Sequence, residues 1–141
     1  MPDFIPFQVM RKYPHMGPED SAIWTRFILS DQTAYDAVAY DVKVGSPPAF
    51  DTTVNQETGG SALGLYKKKI DVIGLKEGSY TIIEVKPQID SRALGQVEGY
   101  YELVLRDIPE IRNPSMRVIG EALLPDVSYL AEKKGIGLIV V

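Results

Sequence analysis

The sequence predicts an α/β domain with a mixed central sheet and helices on both of its faces. Apolar residues recur with helical spacing after Gly17-Pro18 and after Asp90-Ser91, whereas apolar runs of strand length lie between and beyond these segments. The resulting order is α-β-β-β-α-β-α-β, which is typical of a layered α/β fold. The 141 residues are enough to bury a sizeable core, so we expect one domain that begins with an arm at residues 1–16.

The first helix is predicted to begin at Gly17-Pro18, because proline in a first turn loses no helical hydrogen bond. Its inward stripe consists of Ile23, Trp24, Phe27 and Ile28. Glu19 lies one helical step before Ile23, so we expect this acid on the inward-facing edge of the helix. Residues 35–44 then read as the first strand.

Two β-rich runs, residues 67–75 and 79–86, follow a long loop. The short connection at residues 76–78 contains glycine and is typical of a hairpin. Pro87 cannot donate to an inner strand, so we expect the second run to end there. The segment from Gly45 to Gly64 has little periodicity, and we expect it to form a flap, because loops of this length commonly carry function.

Asp90 is the predicted N-cap of a second helix that runs to about Arg106. Its predicted packing face is Leu94, Val97, Tyr101, Val104 and Leu105. A strand is predicted over residues 117–123, and a short helix follows that ends at Gly135. The last six residues are apolar without alternation, so we expect a final strand buried on both faces.

Composition excludes several classes of protein. The chain has no Cys, which rules out disulfides, zinc-thiolate sites and thiol nucleophiles. With no secretory signal pattern either, we expect a cytoplasmic location, and no apolar run approaches the roughly 18 residues that span a bilayer. The net charge of −4 argues against nonspecific coating of nucleic acid, but not against an enzyme that meets phosphates through metal ions.

The chemistry is carried by Asp71 and by the tripeptide Glu84-Val85-Lys86. Side chains alternate along a strand, so Glu84 and Lys86 project to one face, where burying either alone is costly. A hairpin would bring Asp71 beside Glu84, and a divalent cation would relieve the repulsion between these acids. Oxygen ligands select Mg²⁺ or Mn²⁺, which activate water for phosphodiester hydrolysis, and Lys86 would orient or deprotonate that water.

A simpler interpretation is that this pattern, an Asp followed after a gap by Glu-x-Lys, arises by chance, since alternating charges often mark an exposed edge strand. The position favours function, because the pair ends an apolar strand directly before a proline and a helix. Asp41-Val42-Lys43 repeats the acid-x-lysine pattern, but no suitable acid-bearing strand accompanies it, so we interpret it as ordinary strand polarity. His15, the only His, is expected on the surface, which argues against His-based catalysis.

These residues resemble the motifs of the PD-(D/E)XK nuclease superfamily, whose restriction-endonuclease-like core is α-β-β-β-α-β. Asp71 matches the acid of the second core strand, and Glu84 and Lys86 match the (D/E)-x-K of the third. The resemblance covers residues 17–123, with Ile70 where the family name has Pro. Many members carry an acid in the first helix; Glu19 fits this role and Asp20 is the fallback. The implied metal ligands are Asp71, Glu84, the carbonyl of Val85, and Glu19.

Gln96 and Tyr100 extend the resemblance towards RecB-type exonucleases and Holliday-junction-resolvase-like cores, because they match a Gln-x-x-x-Tyr motif in the helix after the lysine. At i, i+4 they share one helix face and would touch the substrate or brace the metal site. Lys67-Lys68-Lys69 either begins a strand or grips the DNA backbone. Tyr66 and Tyr100 are candidates for stacking on unpaired bases.

The resemblance implies a metal-dependent deoxyribonuclease acting on single- or double-stranded DNA, of a kind common in mobile-element and phage enzymes. The Gln-x-x-x-Tyr resemblance favours exonuclease or recombination-type activity, but the sequence does not distinguish endonuclease from exonuclease action. Two alternatives stay open: a non-catalytic nucleic-acid-binding or assembly module with this fold, and an unrelated α/β protein such as a small-molecule hydrolase. The sequence also leaves open whether the chain forms a homo-oligomer.

Overall fold

A computed structural model describes residues 1–46 and 68–141, and most of the predicted flap, with Tyr66 and Lys67, lies outside the described residues. The elements are β1 (Ile5–Pro6), α1 (Pro18–Ser30), β2 (Ala37–Val44), β3 (Lys68–Lys76), β4 (Ser79–Ile89), α2 (Ser91–Asp107), β5 (Ser115–Leu123), α3 (Val127–Lys134) and β6 (Ile136–Val140). The strands form one six-stranded sheet in the order β1-β2-β3-β4-β5-β6. Neighbouring strands from β1 to β4 pair antiparallel, and those from β4 to β6 pair parallel, so the sheet is mixed, as predicted.

The first apolar core lies between α1 and one face of the sheet. The predicted inward stripe of α1 is buried throughout: Ile23, Trp24, Phe27 and Ile28. Trp24 Nε1 donates a hydrogen bond of 2.8 Å to the Tyr40 hydroxyl on β2. The N-terminal arm belongs to this core, since Tyr13 and Met16 are buried in it and β1 pairs with β2.

The second core lies between α2 and the opposite face of the sheet. Asp90 caps α2 as predicted, accepting the Ala93 N–H at 2.9 Å. The buried residues of α2 are Ala93, Leu94, Val97 and Val104. The prediction that Leu105 packs inward is wrong: it is 37% exposed, because the buried stripe passes from Val104 to Ile108.

Two predictions about strands are wrong. β4 continues through Pro87 to Ile89, because its register with β3 ends at Ile83 and the described residues beyond pair only with β5. Proline is tolerated where no partner needs its N–H. β6 is not buried on both faces: it is an edge strand, and Val140 is 52% exposed. Among the described helices, none has the length and apolar character needed to cross a membrane.

The β3–β4 hairpin, predicted from residues 76–78, sets which side chains face each other. Its two turn residues both have positive φ, the conformation of a tight hairpin turn. The register that follows places Val72 opposite Ile83. One step further from the turn, Asp71 is therefore level with Glu84.

Close packing at Gly120 yields a stability prediction. Gly120 of β5 lies opposite Lys86, and a Cβ there would overlap the Lys86 carbonyl oxygen and lie 2.7 Å from Ile89 Cγ1. We predict that Gly120→Ala lowers the free energy of unfolding by about 1–3 kcal/mol, measured by urea denaturation. The control is Gly137→Ala on β6, where a Cβ would lie 3.7 Å from the Met116 carbonyl oxygen. Equal losses in the two variants would contradict the prediction.

Candidate active site

Asp71 and Glu84 lie side by side where β3 and β4 part. Backbone pairing between these strands stops at Val72 and Ile83, and Asp71 Oδ2 accepts the Val85 N–H at 2.9 Å. The side chain thus satisfies a backbone donor that β3 no longer reaches, which holds the carboxylate against β4. The structure therefore brings together the two acids that the hairpin was expected to join.

Both carboxyl groups are poorly solvated. Glu84 is 7% exposed, and its Oε2 atom has no hydrogen-bond partner in the described part of the chain. Burial raises the pKa of Glu84 to about 9, and the charge of Asp71 and a hydrogen bond between the two groups add to the rise. Burial also raises the pKa of Asp71, although the bond from Val85 opposes it. A pair of this kind releases protons when a cation binds.

The acid of α1 that acts on this pair is Asp20. Burial, followed by the charge of Glu19, raises the pKa of Asp20, while Lys86 lowers it. The charge of Asp20 in turn contributes to the raised pKa values of Asp71 and Glu84. Asp20 therefore lies within electrostatic reach of both acids and of the lysine.

Glu19 is exposed, so the expectation that it lies on the inward edge of α1 is wrong. The reason is helical phase. Asp20 lies three and four residues before Ile23 and Trp24, which are both fully buried. Glu19 lies four residues before Ile23 but three before the exposed Ala22, so only one of its two helical neighbours is buried. Asp20, the alternative acid of the first helix, thus lies on the inward-facing edge of α1 where Glu19 was expected.

Lys86 is held at the head of α2. Its Nζ atom donates a hydrogen bond of 3.3 Å to Gln96 Oε1 and lies 3.8 Å from Asp90 Oδ1. The charge of Lys86 lowers the pKa of Glu84, opposing the effect of burial. The ammonium group is therefore close enough to the acid pair to act on it.

Tyr100 lies near the acid pair, on the same helix as Gln96. Burial raises the pKa of Tyr100, and the charges of Glu84 and Asp71 raise it further. The structure gathers six of the predicted site residues in one region: Asp71, Glu84, Val85, Lys86, Gln96 and Tyr100.

Asp41 on β2 is an acid that the sequence interpretation set aside. The register of β2 with β3 places it level with Asp71, and its charge contributes to the raised pKa of Asp71. Its side chain is 9% exposed, with Oδ2 lying 3.0 Å from His15 Nε2 and 3.4 Å from Lys43 Nζ. Oδ1 has no partner within the two described ranges. His15 is itself exposed, as predicted.

A divalent cation fits the chemistry of this donor set. Asp71 supplies half-buried carboxylate oxygens and Glu84 supplies buried ones, and Glu84 Oε2 is without a partner among the residues described. Within residues 1–46 and 68–141, no three acidic or histidine side chains converge into a ready metal cage. Mg²⁺ is commonly held by one or two carboxylates, waters and substrate phosphates, so an open pair suits it.

No family model and no curated protein matches this sequence. Solved structures do match its fold. A repair endonuclease from Pyrococcus abyssi matches with a TM-score of 0.54, and the structure of an EndoMS–dsDNA2 complex matches with a TM-score of 0.52. The fold is restriction-endonuclease-like. The predicted fold class is therefore confirmed.

Both matches share 14% sequence identity with this chain and cover 94% of it. They cover 49% and 48% of the two solved chains, so this restriction-endonuclease-like chain spans about half their length.

The buried acid yields a prediction for the metal-free protein. Because the pKa of Glu84 rises from 4.5 to about 9 on folding, the folded state retains a proton that the unfolded state loses. Stability should therefore fall as pH rises through this window. We predict that Glu84→Gln, in EDTA, raises the free energy of unfolding by about 1–3 kcal/mol near neutral pH and little near the lower end of the window.

Urea denaturation at several pH values measures this effect. The control is Glu102→Gln, which changes an exposed acid of α2 and should show no such pH dependence. A gain from Glu84→Gln that is the same at every pH would contradict the explanation.

Proposed function

We propose that this chain is a metal-dependent DNA nuclease that hydrolyses phosphodiester bonds. The observation that carries the proposal is the pairing of half-buried Asp71 with buried Glu84. Glu84 has an unpartnered carboxylate oxygen in the described structure, and Lys86 lies within electrostatic reach. The fold supports it, since one similar structure is named a repair endonuclease and the other a complex with dsDNA.

Asp71, Glu84 and the carbonyl of Val85 would hold Mg²⁺ or Mn²⁺. Asp20, rather than Glu19, would assist from α1, because its charge acts on both acids. When bound, such an ion polarises a phosphate and lowers the pKa of water from about 16 towards 7.

Lys86 would bind the attacking water or a phosphate oxygen. Its Nζ atom is held by Gln96 at 3.3 Å, which limits the positions that the flexible side chain adopts. An ammonium group beside two carboxylates also stabilises the negative charge that develops on the phosphate in the transition state. Tyr100, which lies on α2 like Gln96 and close to the acids, would brace the site from this helix.

We predict that the purified protein cleaves labelled DNA with Mg²⁺ or Mn²⁺ and stops with EDTA. Asp71→Asn, Glu84→Gln and Lys86→Met should each lower the rate by about 100-fold or more, because each removes a metal ligand or the positioned ammonium. Lys76→Met, at the hairpin end of β3, is the matched control for the lysine.

The assay should compare linear, circular, single-stranded and branched DNA, because cleavage of circles distinguishes endonuclease from exonuclease action. Binding of DNA with no cleavage under any metal would instead support a non-catalytic module.

The acid of α1 gives a second prediction. Asp20→Asn should raise the Mn²⁺ concentration needed for half-maximal cleavage by about 10-fold or more, because outer partners of a metal site tune its affinity. Glu19→Gln removes the neighbouring exposed charge and should change this concentration by less than about threefold. A larger change in this concentration for Glu19→Gln than for Asp20→Asn would indicate that Glu19, not Asp20, assists the metal site.

A further inference from the structure

A groove of about 480 Å³ runs beside the candidate site, lined by Lys68, Arg92, Gly95, Gln96, Gly99 and Tyr100. We propose that this groove holds the sugar–phosphate backbone of a single DNA strand on its approach to Asp71 and Glu84. The inference rests on the proposed nuclease function and names the form of its substrate.

The groove and the acid pair share residues. Gln96 lines the groove and accepts the hydrogen bond from Lys86 Nζ. Tyr100 also lines it, and the charges of Glu84 and Asp71 both act on the Tyr100 hydroxyl. The buried Glu84 carboxylate, with its unpartnered Oε2 in the described structure, therefore lies close to this wall of the groove.

Two basic residues on the groove are available to a ligand. Lys68 comes from β3 and Arg92 from the first turn of α2, and both are exposed. Neither makes an ion pair with any residue that the structure describes, whereas the neighbouring Lys86 pairs with Asp90 and Lys134 with Glu98. Cations that have no ion pair among the described residues and lie next to the proposed catalytic site are suited to binding backbone phosphates.

Gly95 and Gly99 leave the helix backbone uncovered along the groove. They lie one helical turn apart and are exposed, and a Cβ at either would meet no described atom within 4 Å. Each glycine in a helix interior costs about 0.5–1 kcal/mol relative to alanine. The described packing of the protein does not require glycine at these two positions. A DNA strand that passes close to α2 would require it.

The lining of the groove favours an unpaired strand. Its volume of about 480 Å³ falls in the range of about 300–1,000 Å³ that accommodates small ligands. Tyr100 adds an aromatic ring of the kind on which unpaired bases stack.

Fluorescence anisotropy tests the phosphate contacts. The probes are a labelled oligothymidylate of about 20 nucleotides and a hairpin duplex of equal length, with Ca²⁺ in place of Mg²⁺. Lys68→Gln and Arg92→Gln should each weaken oligothymidylate binding by about three- to tenfold and reduce the slope of log K against log salt by about 0.7. Arg112→Gln is the control, because Arg112 is exposed near Ser115, at the far end of β5 from the site.

Gly99→Gln tests the uncovered helix face. It should leave the Tm unchanged or raise it, while weakening oligothymidylate binding by about fivefold or more. A fall in Tm would show that the chain itself fills this space, and would overturn the inference.

The outcomes separate this inference from the nuclease proposal. If the wild type cleaves DNA but the Lys68, Arg92 and Gly99 variants bind and cleave as it does, the groove inference fails alone. If these variants lose binding but the wild type cleaves nothing with any metal, the nuclease proposal fails alone. Tighter binding of the duplex, or no binding of either probe, overturns the single-strand assignment.

Discussion

The hydrogen bond from the Val85 N–H to Asp71 Oδ2, 2.9 Å long, is the contact on which the candidate site depends. β3 and β4 part beyond Val72 and Ile83, which would leave a buried backbone donor without its partner in the sheet. Leaving such a donor unsatisfied costs about 1–3 kcal/mol. The carboxylate of Asp71 satisfies it and is thereby fixed beside Glu84, so a requirement of the sheet also positions an acid of the site.

Acidic side chains are concentrated at the candidate site, whereas Lys68 and Arg92 lie along the groove beside it. Asp20 of α1 and Asp41 of β2 act electrostatically on the pair Asp71 and Glu84: the charge of Asp20 raises the pKa of both, and that of Asp41 raises the pKa of Asp71. Lys86 opposes this repulsion only in part, because it is one cation that also lies beside Asp90. In the proposed function, a divalent ion would balance the remaining negative charge. In the proposed complex, the acidic centre would repel the phosphates, and Lys68 and Arg92, which have no ion pair in the described structure, would bind them along the groove.

Local patterns in the sequence were enough to predict the hairpin and the pair Asp71 and Glu84, because strand alternation and a two-residue turn fix both. A local pattern does not resolve helical phase to one residue, so the sequence placed Glu19 on the inward edge of α1, where the structure has it exposed and Asp20 half-buried. Asp41 depends on the register between β2 and β3 and has a φ of +52°, neither of which a local pattern reveals. The exposure of β6 follows from strand order, which is likewise a property of the whole sheet.

Helix α2 connects the two halves of the proposed mechanism. Asp90 begins the helix by accepting the Ala93 N–H, and the same carboxylate lies 3.8 Å from Lys86 Nζ. One turn into the helix, Gln96 holds that Nζ atom and also lines the groove. A strand bound along Gly95 and Gly99 would therefore contact the element that positions the lysine. Because the cap, the lysine contact and all of the groove lining except Lys68 belong to one helix, a displacement of α2 would alter substrate binding and the position of the ammonium group together.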